Sequence, residues 1–344
     1  MKVVHLVSSL NLGGAERLVY NLAIEQKKLG IKVTVMSAGK KTDTFYSLLK
    51  VQEIDVVLIE GSVFQRLWFA LKQLRRFDIV HFHSIPLVRS MSPVIPLLLR
   101  QKVIFTAHGE TSPKARGMRL SLAFSRLFMF KILAVSEAIR YSLKDRFGYP
   151  VDGIGLIANG VPIANEIKPF LNIPPLKLGF VGRLIPLKNV PLIIEALSLL
   201  ERSSVELNIF GDGECRKDLE NLALEKGVNA IFHGNEPNEK IIYQTFDLLI
   251  ISSNTEGLPM VLLESMSRGI PAVSTDVGAI STVITHNENG YLIDVGDVAS
   301  LSDIVRELIL NPKVLSSWKK ASYDLIKQEY SIQQIAQSYS KLYK

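Results

Sequence analysis

Two carboxylates separated by seven residues, Glu256 and Glu264, bracket the run Thr255-Glu256-Gly257-Leu258-Pro259-Met260-Val261-Leu262-Leu263-Glu264. Apolar residues 246–251 before it read as a buried strand, and Ser252-Ser253-Asn254 as a polar turn. A helix is predicted from about Leu258, with Pro259 in its first turn, where a missing N–H has no partner to lose. Glu256 then stands at the helix mouth and Glu264 about a turn and a half inside. The mouth formed by Leu258, Pro259, Met260 and Val261 offers free backbone donors and the positive end of the helix dipole, which suit a phosphate. Carboxylates only accept hydrogen bonds, so they pair with vicinal hydroxyls beside it. A phosphate bordered by hydroxyls is the chemistry of a sugar nucleotide. The plain alternative is a capping acid at 256 and a solvated helical acid at 264.

Other groups could serve the same chemistry. Arg183 and Lys188 lie in Gly182-Arg183-Leu184-Ile185-Pro186-Leu187-Lys188-Asn189 with no acid close in sequence, and two cations at a strand-helix loop can converge on a diphosphate. Gly13 and Gly14, in Ser9-Leu10-Asn11-Leu12-Gly13-Gly14-Ala15-Glu16, permit close backbone approach to a phosphate at a helix start, or form an ordinary tight turn. The G-x-G-x-x-G and Walker patterns are absent, so nicotinamide and P-loop readings lose their main support. Gly211 and His233 stand at strand ends as candidates for the nucleotide, and after His233 the backbone edge at Gly234-Asn235 could read a nucleobase. His81 and His83 share one face of a strand and could invite a metal, but no third ligand with suitable spacing follows, so they are read as structural or substrate-contacting. His108, in Thr106-Ala107-His108-Gly109, closes another strand where ligands meet open α/β sheets.

The elements that must hold these groups alternate regularly. Strands are predicted at 2–8, 31–37, 55–59, 78–83, 103–108 and 132–135, with a first amphipathic helix at 15–29. A turn at Asn159-Gly160-Val161-Pro162 and prolines 169, 174 and 175 mark a boundary. Strands then resume at 176–181, 205–210, 230–233 and 246–251, and a last one at 271–274, with Gly278 after it, closes the second sheet. Short apolar strands joined by helical crossovers give two doubly wound parallel α/β sheets. Every candidate group falls at a strand's carboxyl end, the ligand edge of such a sheet.

The chain has 344 residues, 47% of them hydrophobic, enough for two domain cores. Cys215 is the sole cysteine, so no internal disulfide forms, and with no secretory or membrane-spanning stretch a cytoplasmic location is expected. The net charge of +7 is unevenly placed: residues 1–172 carry 24 Lys+Arg against 12 Asp+Glu, and the remainder has an excess of acids. Two stretches concentrate the basic charge among aromatics. Residues 64–77 hold Arg66, Lys72, Arg75 and Arg76 with Trp68 and Phe69, and residues 114–131 hold Lys114, Arg116, Arg119, Arg126 and Lys131 with Phe124, Phe128 and Phe130. They fit the anionic inner surface of a membrane, or ordinary core helices with solvated basic faces. Nucleic acid is not expected, since no binding motif accompanies the charge.

Taken jointly and in order, Gly13-Gly14, Asn159-Gly160-Val161, Gly182-Arg183 with Lys188, and Glu256-x7-Glu264 resemble the retaining family 4 glycosyltransferases of the GT-B fold over essentially the whole chain. The resemblance implies an α/β, GT-B architecture, two Rossmann-like doubly wound parallel-sheet domains facing a cleft. Residues 1–168 would bind the acceptor, 169–328 the nucleotide sugar, and 329–344 would form a helix crossing back to the first domain. It implies that Glu264 binds ribose hydroxyls, that Glu256 and His108 lie by the donor sugar, and that Arg183 and Lys188 hold the diphosphate. Asn189 departs from the family, where glycine is commoner. The function implied is transfer of a hexose-type sugar from a UDP or GDP sugar to a glycan or lipid-linked acceptor in surface polysaccharide assembly. No D-x-D motif is present, so transfer without a metal or other cofactor is expected. A GT-B-type sugar-nucleotide epimerase and a non-catalytic nucleotide-sugar-binding subunit are the alternatives.

Overall fold

Valine, isoleucine and leucine dominate the predicted strands on both faces, and such residues can be buried only if helices cover both sides of a sheet. The computed structural model, which describes residues 1–109, 118–169 and 174–344, builds two such sheets. The chain divides into one unit of Met1–Val161 with Ile332–Lys344 and a second of Pro162–Ser331.

In the first unit, strands β1 (Lys2–Val7), β2 (Lys32–Ser37), β3 (Asp55–Leu58), β4 (Ile79–Phe82), β5 (Lys102–Ala107), β6 (Lys131–Ala134) and β7 (Ile154–Leu156) pair in parallel in the order β3-β2-β1-β4-β5-β6-β7. Its helices are α1 (Gly14–Lys28), α2 (Thr44–Val51), α3 (Val63–Leu74), α4 (Ile85–Ser90), α5 (Met118–Arg126) and α6 (Glu137–Phe147). In the second unit, β8 (Leu176–Val181), β9 (Val205–Phe210), β10 (Ala230–Gly234), β11 (Leu248–Ile251), β12 (Ala272–Thr275) and β13 (Gly290–Ile293) take the parallel order β10-β9-β8-β11-β12-β13. Helices α7 (Val190–Leu197), α8 (Arg216–Glu225), α9 (Glu239–Thr245), α10 (Met260–Met266), α11 (Val298–Leu310) and α12 (Pro312–Glu329) belong to it. Leu178, Leu207, Ile193 and Leu301 are fully buried in its core.

The last helix, α13 (Ile332–Tyr343), closes the first unit against α1 and buries Ile332, Ile335, Ala336, Tyr339 and Tyr343. Gly160 is what lets it approach: a Cβ there would lie 2.7 Å from Ile335. The Ile332 amide donates to the Val161 carbonyl at 2.9 Å, so both points where the chain changes unit are tied together.

The structure departs from expectation at three places. Strands β7 and β13 were not predicted, and β13, paired with β12, ends the second sheet beyond Gly278. The helix expected from Leu258 begins at Met260; Pro259 has φ −67° and ψ 126°, so its backbone is extended and it stands just outside the first turn. The division between units falls at Val161 and Pro162, inside the predicted turn and ahead of residue 168.

Candidate active site

In the second sheet, strand order reverses direction between β8 and β11, and in an open α/β sheet that is where a ligand crevice forms. The loop after β8 delivers Arg183 and Lys188 there, and the loop after β11 delivers Glu256. The two loops are stitched together. Lys188 Nζ donates to Glu256 Oε1 at 2.5 Å, Ser253 Oγ donates to the same oxygen at 2.6 Å, and Ser252 Oγ donates to the Lys188 carbonyl at 2.8 Å. The Asn254 amide donates to the Leu187 carbonyl. Lys188 therefore does have an acid beside it, which the local sequence lacks; the fold brings one from 68 positions away. Arg183 is exposed. Asn189 adopts φ 47° and ψ 45°, a left-handed conformation in which asparagine is tolerated and glycine is unstrained.

Glu264 is not a solvated helical acid. It is 5% exposed on α10, and Tyr243 from α9 donates its phenol to Oε2 at 2.6 Å. Burial and the adjoining carboxylate together push the Tyr243 phenol well above its usual pKa, so it stays a donor. Arg268 lies over the Tyr243 ring at 4.7 Å, donates to the Glu264 carbonyl at 2.7 Å and pairs with Glu239 at 2.6 Å. Tyr243, Arg268 and Glu239 carried no signal in the sequence, because they reach Glu264 only through the packing of α9 beside α10 and the turn after it.

The remaining predicted positions fall into two kinds. Leu258, Pro259 and Met260 are buried and Val261 half-buried, so side-chain packing holds the turn in place. Gly211 has φ 128°, and a Cβ on it would lie 1.9 Å from the Gly182 carbonyl oxygen, so glycine is required for the β8 and β9 loops to touch. Gly278 does the same beneath the carboxylate loop: with φ 65°, its Cβ would lie 2.2 Å from the Glu256 carbonyl oxygen. His233 is exposed at the end of β10, stacks on Phe210 with ring centroids 4.2 Å apart and shares a hydrogen bond with Asn208 at 2.8 Å. Burial lowers its pKa.

In the first sheet the strand order reverses between β1 and β4. Gly13 caps α1 and Gly14 begins it, but the helix mouth already faces an anion of this chain. A Cβ on Gly13 would lie 2.4 Å from Glu16 Oε2, so the Glu16 carboxylate folds back toward Gly13 at the mouth of α1. The Ser8 and Ser84 hydroxyls, from the ends of β1 and β4, are hydrogen-bonded to each other.

The same end of the sheet holds a connected row of imidazoles. His108 Nε2 meets His83 Nδ1 at 2.9 Å, His83 Nε2 meets His5 Nδ1 at 2.9 Å, and His5 Nε2 meets Gln26 Oε1 at 2.8 Å. His81 stands beside them, bonded through Nδ1 to the Tyr343 hydroxyl at 2.7 Å and through Nε2 to Thr106 Oγ1 at 2.8 Å. His5, His81 and His83 are buried, and burial lowers the pKa of all four rings, to about 4 for His5 and His108. A third imidazole near His81 and His83 thus exists: β1 supplies His5, and nitrogens of the three lie within 4.8 Å of one another. Both nitrogens of each ring already have protein partners.

The basic stretches are not core helices. On α3 only Ala70 and Leu74 are buried, while Phe64 is 78% and Trp68 61% exposed. On α5 Leu122 is buried, and Leu120 at 77% is exposed beside Phe124; Leu127, Phe128 and Phe130 beyond its end are exposed as well. Lys114 and Arg116 lie outside the described residues. Among the described residues, no helix is long and apolar enough to cross a membrane.

Two family models divide the chain between them: Glycosyltransferase Family 4 matches residues 12–165 and Glycosyl transferases group 1 matches residues 164–325. A Campylobacter jejuni N-acetylgalactosaminyltransferase that acts on a diNAcBac-PP-undecaprenol glycan is 25% identical over 99% of this chain and 98% of its own. An Escherichia coli UDP-Gal:α-D-GlcNAc-diphosphoundecaprenol α-1,3-galactosyltransferase is 26% identical over 77% of this chain and 74% of its own. The crystal structure of Anabaena HepE with UDP-glucose superposes with a TM-score of 0.88 at 20% identity, covering 99% of each chain. With two Rossmann-like parallel sheets and both family models matched in sequence order, the chain belongs to the family 4, group 1 glycosyltransferases of the GT-B fold.

Proposed function

We propose that this glycosyltransferase moves a hexose-type sugar from a UDP or GDP sugar to a lipid-linked glycan at the inner membrane surface, with retention of anomeric configuration and without a metal. The observation that carries the donor reading is the Lys188–Glu256 pair at the reversal of the second sheet, with Glu264 buried close along the chain. In this reading Glu264 takes ribose hydroxyls and Glu256 those of the sugar, and Lys188 turns from Glu256 toward the diphosphate, joined there by Arg183. His233 and Gly211 border the base, and the turn 258–261 turns its amides to the phosphate. His108 belongs to the sugar end.

In the reaction the anomeric C–O bond breaks and its electron pair leaves on the diphosphate oxygen, where cations count most. The acceptor hydroxyl attacks from the same face, and its proton passes to a departing phosphate oxygen. The acceptor reading rests on the exposed aromatic and basic faces of α3 and α5, which suit an anionic bilayer, and on relatives whose names carry undecaprenol-linked acceptors.

The test is transfer of labelled sugar from UDP and GDP donors to polyprenyl-diphosphate glycans in anionic vesicles, with and without chelator. Transfer that survives chelator and yields the donor's anomer is expected, and Lys188→Ala should lower kcat about 100-fold or more. An inverted product, dependence on a divalent ion, or an unaltered Lys188→Ala rate would each remove the corresponding part. Charge reversal at Arg75 and Arg76 should release the protein from anionic vesicles at low salt; unchanged binding would remove the membrane part.

A further inference from the structure

The edge strand β10 breaks its ladder at the residue assigned to the base. Phe232 pairs with Ile209 and Gly234 with Phe210, so His233 between them has no partner on β9 and forms a bulge. Its ring lies over Phe210, with centroids 4.2 Å apart and planes 7° from parallel. From Phe210 the rings continue to Phe246 at 6.4 Å and on to Tyr243 at 5.9 Å, and Tyr243 donates to Glu264. His233 thus lies on the same aromatic row as the carboxylate read as the ribose acceptor, and in a nucleotide the base is joined to that ribose.

Two residues of β9 fix which nitrogen of His233 carries the proton. Asn208 Nδ2 faces Glu206 Oε1 at 3.0 Å, and a carboxylate only accepts, so the amide nitrogen is the atom turned to it. The amide oxygen is then what faces His233 Nε2 at 2.8 Å, and it too only accepts. The proton of His233 is therefore on Nε2. Burial keeps the ring below its ordinary basicity, so at neutral pH it has no second proton and Nδ1 is a bare lone pair. Among the described residues no protein group bonds to Nδ1, and the residue is exposed.

We infer that Asn208, oriented by Glu206, presents His233 to the base as a hydrogen-bond acceptor at Nδ1, and that this acceptor selects a base with an imino N–H, uracil or guanine. Uracil N3 and guanine N1 carry such a proton. Cytosine N3 and adenine N1 are lone pairs, which would set two acceptors against each other. Asn208 is a positioning residue, since it acts only through the ring. The base selection rests on the proposed donor reading; the tautomer does not.

Calorimetric titration with UDP, GDP, CDP and ADP tests the selection. The tighter of UDP and GDP names the base, and it should exceed both CDP and ADP by about 10-fold or more. His233→Phe keeps a flat ring over Phe210 and removes the lone pair, so the ratio of UDP to CDP affinity should fall about 10-fold. Long-range proton–nitrogen NMR of histidine-labelled protein, assigned with the same variant, should show a protonated Nε2 and a bare Nδ1 on His233 at neutral pH. Asn208→Leu removes the acceptor and should move both nitrogens toward the average of the two tautomers; the wild-type spectrum is decisive even if that protein is unstable. A proton on Nδ1, or a UDP to CDP ratio unchanged in His233→Phe, overturns the inference. UDP and GDP bound no better than CDP and ADP would overturn it and leave the donor reading standing. Binding of none of the four would refute the donor reading and the base selection with it.

Discussion

Glu264 accepts a hydrogen bond from the Tyr243 phenol, which makes Tyr243 a substitution that probes its environment. Tyr243→Phe keeps the ring against Arg268 and removes the phenol's hydrogen bond to the buried carboxylate. The expected loss is about 1–3 kcal/mol of stability, read as a lower melting temperature, with weaker UDP binding by calorimetry. The histidines give a pH dependence of known sign. Folded pKa values of about 4 for His5 and His108 lie below the ordinary 6.5, so protonation favours the unfolded chain. Their contribution is complete above about pH 6.5 and is lost as the pH falls toward 4. Melts across that range should show a smaller acid destabilisation for His5→Gln than for the wild type. Residue types and loop positions made Glu256, Lys188 and His108 visible in the sequence, but their partners are set by strand order. Lys188 finds Glu256, and His83 finds His5, only because their strands become neighbours in a sheet.

At the scale of elements, the loops after β8, β9 and β11 are kept in place by glycines that pack backbone on backbone. Gly278→Ala would set a Cβ at 2.2 Å from the Glu256 carbonyl oxygen at a positive φ. A destabilisation of about 1–3 kcal/mol is expected, and donor affinity should fall because the loop carrying Glu256 must move. Isothermal titration with UDP measures it, and Gly296→Ala, at φ 86° with nothing within 4 Å, controls for backbone strain alone. The apolar runs located eleven of the strands within a residue or two, since parallel strands buried on both faces need continuous hydrophobic stretches. Strands β7 and β13 escaped because Ile154-Gly155-Leu156 and Gly290-Tyr291-Leu292-Ile293 are short and begin or break at glycine, which in sequence reads as a turn. Pro259 misled in a different way: its fixed φ suits a helix start, but ψ is free, and here it is extended.

At the scale of the whole molecule, the basic excess lies on the sequence of the first unit, and that unit depends on α13. Removing residues 332–344 takes away the cover of α1, the Tyr343 bond to His81 and the contact with Gly160. The first unit of such a protein should melt lower and lose hydrogen-exchange protection around β1 and β4, while the second unit, whose core comes from Pro162–Ser331, keeps its own protection. Equal loss in both units would contradict this division. During synthesis the consequence is one of timing. The segment that seals the histidine row emerges from the ribosome only after residues 162–331, so the portion translated second can finish folding before the portion translated first. Until then His81 and Thr106 lack the Tyr343 and Tyr339 hydroxyls that bond them in the folded protein.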